Sequence, residues 1–573
     1  MSAKKQAGDI EAIEKDTKIK KSKTGLRLRS LVSTKKRKII TILSAMLLLL
    51  VLIFAIPTTR YFVSSSFIKK EVTITIIDAS TKRPVSNATI ALGNNVTQSD
   101  KNGVVKIQSV PVGEQTLKVS KQYYTDSQQS YTVPILSKPN SLTIEIIATG
   151  RQVLVSVMNK ISGAPLSDVV ISSSDTKATT NSEGTATIIL PPKNVSQKAT
   201  LVRTGYNSLD VELRVDGVTN NINAMTPSGS IYFLSKATGN INVVKSNIDG
   251  TNATIAVAAT GQEGDDETSL LSSRDWQYSA LLATRTDNKQ RLYLIDATKG
   301  DFVVMDEGNA TFELVGWSGH NFIYMVYRNT GNSWDDKRQV LKSFDAETRK
   351  ITVLDTTAGS GTSVYDNAYE VMTSVYILKD ELVYLKYWSL GSYTREDANR
   401  VTSLYSISPT GGSKKTVKTF PNNSTNLKLY EPQGIYIRVY SYNNPSTFYE
   451  YENKSIKSID TNDNQFNSFY PTFLVSPSGN KTLWYEPRDG KNTILIGNLE
   501  GKESKVIGTL SEYTPYGWYG ENDQYILLTK KGSELYIADA SRVIGENGYT
   551  PLKVTDYHKT RSFAGYGYGY GGQ

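Results

Sequence analysis

Side chains that most often carry chemistry are scarce in this sequence. It has 573 residues, no Cys and two His, His320 and His558. Without Cys, the chain can form no disulfide, thiolate nucleophile, zinc–cysteine site or iron–sulfur cluster. His320 ends the stretch GWSGH (316–320), which approaches the G-x-S-x-G pattern of a hydrolase nucleophile but has His in place of the last Gly. We therefore interpret Ser318 as a turn residue and His320 as a loop residue.

A second stretch, DTNDNQ, approaches a calcium-binding loop. Asp460, Asn462 and Asn464 have the one-three-five spacing of its first ligands. Gln465 and Pro471 stand where such a loop needs Gly and a bidentate Glu. We interpret the stretch as a loop that connects two structural repeats.

The acidic run EGDDE, residues 263–267, offers another group of cation ligands. Runs of this kind are more often solvated loops, and we interpret it as one. Paired carboxylates for glycoside hydrolysis need a separation of about 5–10 Å, which a sequence does not specify. We therefore predict no catalytic, cofactor-binding or metal-binding residue.

Positive charge is concentrated at the N-terminus. Residues 1–38 hold 13 Lys or Arg and 4 Asp or Glu, in a chain whose net charge is +10. The rest of the chain is nearly neutral, so no nucleic-acid-binding surface is indicated. The tail ends in Lys35, Lys36, Arg37 and Lys38, which suit contact with anionic lipid headgroups. We predict that residues 1–38 are a basic, disordered cytoplasmic tail.

An apolar run follows from Ile39 to Ile56, and no charge appears before Arg60. At about 1.5 Å per residue, such a stretch can cross a hydrocarbon layer of about 30 Å. The alternative is a cleaved signal peptide, but the leader of 38 residues is long for one. Because the positive charge precedes the run, we predict a single-pass transmembrane helix over 39–59, with later residues outside the cell. Missing disulfides outside the membrane are typical of a bacterial surface.

Two stretches after the apolar run repeat each other at an offset of 81 residues. They are KRPVSNATIALGNNVTQSDKNGVVKI, residues 82–107, and GAPLSDVVISSSDTKATTNSEGTATI, residues 163–188. Alternating β-branched residues between clusters of Pro, Gly, Asn and Asp predict short strands joined by tight turns. Gly103 and Gly184 fall where a hairpin turn needs a positive φ.

The first copy, with VPVGEQTLKVS after it, resembles the carboxypeptidase regulatory-like (transthyretin-like) fold and the PEGA modules of bacterial surface proteins. Short strands with frequent turns and this resemblance both imply two tandem β-sandwich domains, at 71–148 and 149–228. A linker at 60–70 would precede them. The resemblance also implies that the domains are non-catalytic spacers or adhesive units.

From about residue 229 the sequence becomes rich in Tyr, and it contains all six Trp. Units of about 40–55 residues repeat a strand, a polar turn, a strand, a polar turn and a strand, which is typical of propeller blades. The stretch SPSGNKTLWY resembles the turn of TolB-like (WD40-like) propellers, which implies protein interaction. We predict seven blades, with six or eight blades or stacked sandwiches as alternatives, starting near residues 229, 273, 312, 365, 424, 467 and 511.

The predicted fold is thus mainly β, with a propeller over 229–560 and a flexible Gly/Tyr-rich tail over 561–573. We predict a non-catalytic, membrane-anchored extracellular binding or adhesion protein that recognises a protein or a glycan. The alternatives are an envelope hydrolase or lyase with its site in the propeller funnel, and a scaffold of an envelope or secretion assembly. Acids that converge with Arg or His at the funnel would favour the enzyme.

Overall fold

The computed structural model describes residues 35–192, 195–363, 367–390, 401–421, 424–441, 444–509 and 512–558. Residues 1–34 of the predicted cytoplasmic tail and the whole predicted Gly/Tyr-rich tail, 561–573, lie outside these ranges, as do residues 559 and 560. The chain forms two compact units, Met1–Arg151 with Pro191–Asn194, and Gln152–Leu190 with Val195–Gln573. Strands dominate both units, so the fold is mainly β.

Two helices open the described part of unit 1, α1 (Lys35–Ala55) and α2 (Pro57–Ser65). Within the ranges that the structure describes, no helix is both long and apolar enough to cross a membrane, so the predicted transmembrane helix is not confirmed. The predicted linker at 60–70 is instead structured. It contains most of α2, whose Tyr61 packs with Ile68 against the core of the unit.

The rest of unit 1 is a module of two sheets around one core, the first module. Its strands are β1 (Lys69–Asp78), β2 (Thr89–Leu92), β3 (Asn95–Gln98), β4 (Val104–Pro111), β5 (Gly113–Ser120), β6 (Ser127–Val133) and β7 (Leu142–Ile146). The sheets have the orders β4–β1–β7 and β3–β2–β5–β6. Val72, Ile74 and Ile76 alternate along β1 and are fully buried, as a period of two requires for a strand with one covered face.

A second module with the same topology begins unit 2. Its strands are β8 (Arg151–Asn159), β9 (Val170–Ser173), β10 (Thr176–Thr179), β11 (Thr185–Leu190), β12 (Ser196–Val202), β13 (Leu209–Arg214) and β14 (Asn221–Met225). The sheet orders, β11–β8–β14 and β10–β9–β12–β13, match those of the first module strand for strand. The internal repeat of the sequence is therefore a repeat of structure.

The turns of the two modules explain why glycine recurs at the same offset. Gly103 and Gly184 have φ of +71° and +69°, as predicted. A Cβ at either position would lie 2.5 Å from a backbone carbonyl oxygen, of Ile76 or of Val157. Both the conformation and the close approach of another backbone therefore exclude a side chain.

Asp78 of the first module and Asn159 of the second are also 81 residues apart, and both are buried polar residues that hold other parts of their unit. In unit 1, Asp78 accepts two bonds from the Arg151 guanidinium, at 2.8 and 3.0 Å. Burial favours the neutral form of Asp78, but the bonds from Arg151 and neighbouring groups hold its pKa far below the ordinary value. In unit 2, the Asn159 side chain donates to the hydroxyls of Tyr206 and Tyr525, at 3.0 and 2.8 Å.

Seven antiparallel sheets follow in the described part of unit 2, each built from consecutive strands. Sheet 1 contains β15 (Ser230–Ser235), β16 (Asn242–Asn247) and β17 (Thr254–Val257). Sheet 2 contains β18 (Ser269–Ser272), β19 (Tyr278–Thr286), β20 (Lys289–Asp296) and β21 (Asp301–Asp306). Sheet 3 contains β22 (Ala310–Ser318), β23 (Asn321–Arg328), β24 (Gln339–Asp345) and β25 (Lys350–Thr356). Sheet 4 contains β26 (Gly359–Gly361), β27 (Asn367–Ile377), β28 (Leu382–Leu390), β29 (Val401–Ile407) and β30 (Lys415–Pro421). Sheet 5 contains β31 (Ser424–Glu431), β32 (Gly434–Ser441), β33 (Asn444–Glu452) and β34 (Ser455–Ile459). The helix α3 (Asp463–Asn467) follows, and sheet 6 contains β35 (Leu474–Val475), β36 (Thr482–Arg488), β37 (Lys491–Gly497) and β38 (Lys505–Gly508). Sheet 7 contains β39 (Tyr513–Tyr519), β40 (Tyr525–Lys530), β41 (Glu534–Asp539) and β42 (Leu552–Asp556). A 3-10 helix (Glu546–Gly548) precedes β42.

Apolar cores between successive sheets join the seven sheets into a ring. A separate core lies between each sheet and the next. A seventh core joins sheet 7 back to sheet 1, where Ile231 and Phe233 of β15 meet Leu527 and Ile537. Because both faces of a sheet are covered, strands such as β15 and β23 contain continuous apolar runs. This arrangement is propeller-like.

Replacement of turn glycines tests whether the second module needs Gly at position 184 for its stability. We expect Gly184→Ala to destabilise it by about 3 kcal/mol or more, because the new Cβ adds a clash with Val157 O to the cost of the left-handed conformation. Gly205→Ala is the matched control, since Gly205 has φ of +79° and nothing within 4 Å of an added Cβ. It should cost about 1–2 kcal/mol. Pulse proteolysis in urea measures both; equal losses would contradict the role of the close approach.

Candidate functional site

The first strands of five sheets and the second strand of sheet 4 converge around a cavity of about 420 Å³. These strands are β18, β22, β27, β31, β35 and β39, and none of the described residues of sheet 1 lines the cavity. Five sheets each contribute a half-buried aliphatic side chain to the wall: Leu271, Val315, Val375, Leu429 and Val475. These five side chains form an apolar collar around the cavity.

Bulges in three of these strands explain how their side chains reach the cavity. The pairing of β22 shifts register between Leu314 and Gly316, and that of β39 shifts between Pro515 and Gly517. β27 has a similar shift between Thr373 and Tyr376. A bulge adds an unpaired residue that bends the strand and redirects its side chain. The residues at these bulges include three that line the cavity, namely Val315, Val375 and Tyr516.

Tryptophan side chains behind the collar link the first strands to one another. The Trp317 indole N–H donates to Leu271 O at 2.8 Å, and that of Trp518 donates to Leu474 O at 2.7 Å. The Trp276 indole N–H donates to Trp518 O at 2.7 Å, so it joins sheet 2 directly to sheet 7 and bypasses sheet 1. Sequence analysis missed these bonds. The signal for two of them was the Gly-Trp pair that ends β22 and β39 in GWSG and GWYG.

The charges at the cavity are positive. Arg274 and Lys379 are part of the wall, whereas the described lining residues include no carboxylate and no imidazole. An apolar collar with two cations suits an apolar body that carries a negative charge. The described wall itself contributes no carboxylate or imidazole for proton transfer.

His320 lies outside the cavity and connects sheets 2 and 3. Its Nε2 is 2.7 Å from Asp275 Oδ2 and its Nδ1 is 2.5 Å from Glu347 Oε1. Burial alone would lower the pKa of His320, but the two carboxylates outweigh it and raise the pKa. With both ring nitrogens bonded to carboxylates, the imidazole has no free nitrogen to accept a proton from a nucleophile.

The neighbouring Ser318 belongs to a tight turn. β22 ends at Ser318 and β23 begins at Asn321, so GWSGH forms a strand–turn–strand unit and not the strand–turn–helix of a hydrolase nucleophile. The structure thus places Ser318 in a turn and His320 between two acids.

The two candidate cation loops are held by other contacts. Asn462 caps α3, and its Oδ1 accepts from the Gln465 backbone N–H at 3.0 Å. In the acidic run, Glu263 accepts from the backbone N–H of Thr260 and Gly261 and pairs with Arg285 at 3.1 Å. Among the described residues, no group of three or more His, Cys, Asp or Glu has a metal-binding arrangement.

Comparisons with known proteins give weak similarities to solved propellers. No protein family matches the chain, and no curated protein is similar to it. The β-propeller domain of the Trilobed protease from Pyrococcus furiosus is 12% identical, covering 57% of this chain and 92% of that chain with a TM-score of 0.34. TolB from Acinetobacter baumannii is 13% identical, covering 54% and 75% with a TM-score of 0.26. Pyrococcus horikoshii acylaminoacyl peptidase is 13% identical, covering 48% and 45% with a TM-score of 0.29. Similarities this low say nothing about activity.

The His320 contacts predict a pH dependence of stability. Because the pKa of His320 is raised in the folded chain, its stabilising contribution is complete below the ordinary histidine pKa of about 6.5 and is lost as the pH rises through the folded value. We expect the melting temperature to fall as the pH rises above about 6.5, the ordinary histidine pKa, and the fall to be smaller in His320→Gln. His558→Gln, which changes the only other histidine, is the control and should keep the fall. An unchanged profile in His320→Gln would contradict the assignment.

Proposed function

We propose that this chain is a binding protein whose cavity takes up an apolar segment of a protein partner that carries a negative charge. The observation that carries the proposal is the collar of half-buried aliphatic side chains, one from each of five sheets. Covering such side chains is favourable by about 25 cal/mol for each Å² of apolar surface removed from water. A volume of about 420 Å³ lies within the usual range of ligand sites.

The charge of the wall supports the anionic part of the proposal. Lys379 is exposed at the cavity and Arg274 is half-buried there. A carboxylate of the partner near Lys379 would form charge-assisted hydrogen bonds. The alternative of a hydrolase or lyase would need a proton-transfer group from outside the described wall, which is why binding is the function that we favour over an enzyme or a scaffold.

The proposal includes a place for the chain at a bacterial membrane. We propose that residues 39–59 anchor it, that Lys35, Lys36, Arg37 and Lys38 contact anionic lipids on the cytoplasmic side, and that the later residues are extracellular. What supports the anchor is the apolar run itself and the exposure of α1 side chains such as Leu47, which is 65% exposed. The two modules would act as spacers.

Naphthalene dyes test the cavity. All six Trp lie between Trp276 and Trp518, so quenching of Trp emission by 1-anilinonaphthalene-8-sulfonate reports binding to the ring of sheets and not to lipid. We expect saturable quenching in the full chain. Val375→Asp should weaken it about tenfold or more, because the new carboxylate removes apolar surface and repels the sulfonate. Val353→Asp is the matched control, on β25 at a position 55% exposed and away from the cavity.

The neutral dye N-phenyl-1-naphthylamine separates charge from apolar contact. We expect Lys379→Gln to weaken sulfonate binding about threefold and to leave binding of the neutral dye unchanged. Absence of saturable quenching, or equal effects of Val375→Asp and Val353→Asp, would refute the cavity as the binding site.

The membrane proposal has its own test. We expect the full chain to stay with the membrane pellet after alkaline carbonate extraction, because an apolar run of 18 residues partitions into lipid. A variant without residues 39–56 should move to the soluble fraction. If the full chain is extracted as readily as the variant, the proposed anchor is wrong.

A further inference from the structure

Three large apolar side chains are exposed on the first module. Phe62, within α2, and Phe67, just after it, are 81% and 84% exposed. Leu136, in the loop that follows β6, is 98% exposed. Single exposed apolar residues are ordinary on a protein surface, whereas several large ones that lie together mark a contact surface.

Contacts place α2 and the loop after β6 at the same end of the module. Tyr61 of α2 lies against Gly113, where an added Cβ would be 3.2 Å from the Tyr61 Cβ. Gly113 begins β5 and pairs with Val133, the last residue of β6. In the other sheet, the Lys70 ammonium donates to Ser137 O in the same loop. The three exposed apolar side chains therefore share one end of the module.

Positive charge accompanies the apolar side chains at this end, which consists of residues 57–70 and 134–140 and is here called the α2 face. These residues include no Asp or Glu and four cations: Arg60, Lys69, Lys70 and Lys138. The carboxylates beside the face, of Glu71 and Glu114, accept bonds from an amide and a hydroxyl side chain. A surface that is apolar and cationic suits a lipid headgroup region, where phosphates lie above acyl chains.

The α2 face follows the apolar run of the sequence without a linker. The run ends at Ile56, and α2 begins at the next residue, Pro57. A helix of nine residues is about 14 Å long, so α2 lies close to any surface from which the run emerges. The chain leaves the module at the other end of β1, where Arg151 bonds to Asp78. The length of β1 separates this exit from the α2 face by about 30 Å.

We propose that the α2 face docks on the membrane surface, with Phe62, Phe67 and Leu136 among the upper acyl chains and its four cations beside the lipid phosphates. The inference rests on the membrane anchor proposed above and adds a second contact next to it. Covering exposed apolar side chains is favourable, and lipid phosphates attract nearby Lys and Arg. The docked module would stand in one orientation, with its exit directed away from the lipid.

Site-specific labelling tests the docking, because a chain without Cys accepts a single introduced one. Phe67→Cys, Leu136→Cys and the control Ile147→Cys each receive the dye NBD, in the full chain reconstituted in vesicles of equal parts phosphatidylcholine and phosphatidylglycerol. Ile147 is 64% exposed in the same module and follows Ile146, which pairs with Asp78 at the exit. We expect doxyl-labelled lipids to quench NBD at positions 67 and 136 about threefold more strongly than at position 147.

A carboxylate introduced on the α2 face should weaken the contact. In the chain labelled at position 136, we expect Phe67→Asp to reduce the quenching about twofold, because it removes apolar area and is repelled by anionic lipid. Ile147→Asp in the same labelled chain is the matched control, with no change expected. Equal quenching in the two variants would contradict the docking.

Flotation of the vesicles separates failure of the docking from failure of the anchor. If the chain floats with the vesicles but NBD at positions 67 and 136 is quenched no more than at position 147, the anchor stands and the docking is wrong. If NBD emission at those positions is shifted to the blue but doxyl lipids do not quench it, a protein surface such as a second copy covers the face, which also overturns docking on lipid. A chain that does not float refutes the anchor and the docking together.

Discussion

Burial of two apolar faces on every sheet is the constraint that organises the larger body. In β15, Ile231 and Phe233 pack towards sheet 7 while Tyr232 and Leu234 pack towards sheet 2. A sheet of this kind is stable only between two neighbours, so the row of sheets must close on itself. Closure brings the strands that line the cavity together around an axis that their side chains do not fill. The cavity and its apolar collar are thus a consequence of the same packing that stabilises the ring.

Local patterns in the sequence were sufficient to predict most of the architecture. The sheets begin at residues 230, 269, 310, 359, 424, 474 and 513, each within seven residues of the predicted start. Strand periodicity and turn residues are local properties, and they also predicted the positive φ of Gly103 and Gly184. The helix within 60–70 was not predicted, because it is stabilised by packing of the partly buried Tyr61 against a core formed by later residues.

The cavity depended on interactions that sequence patterns do not record. Trp276 bonds to Trp518 across 242 residues, and the bulges that redirect Val315 and Val375 arise from mismatched pairing between strands. The same holds for His320. Its type and place in a turn were evident, but its partners come from two other turns, 45 residues before it and 27 after it. The chemical role of a histidine depends on such partners. Here the two carboxylates make His320 part of an ionic cross-link.

The bond between Asn159 and Tyr525 has a mechanical consequence. The chain enters the ring at sheet 1, but the second module also holds sheet 7 through this bond and through the Arg542 guanidinium, which donates to Ser162 O. Tension transmitted through the module is therefore shared by the two sheets that flank the closure. Pulling the second module away from the ring would therefore break its bonds to sheet 7 as well as strain the chain that leads into β15.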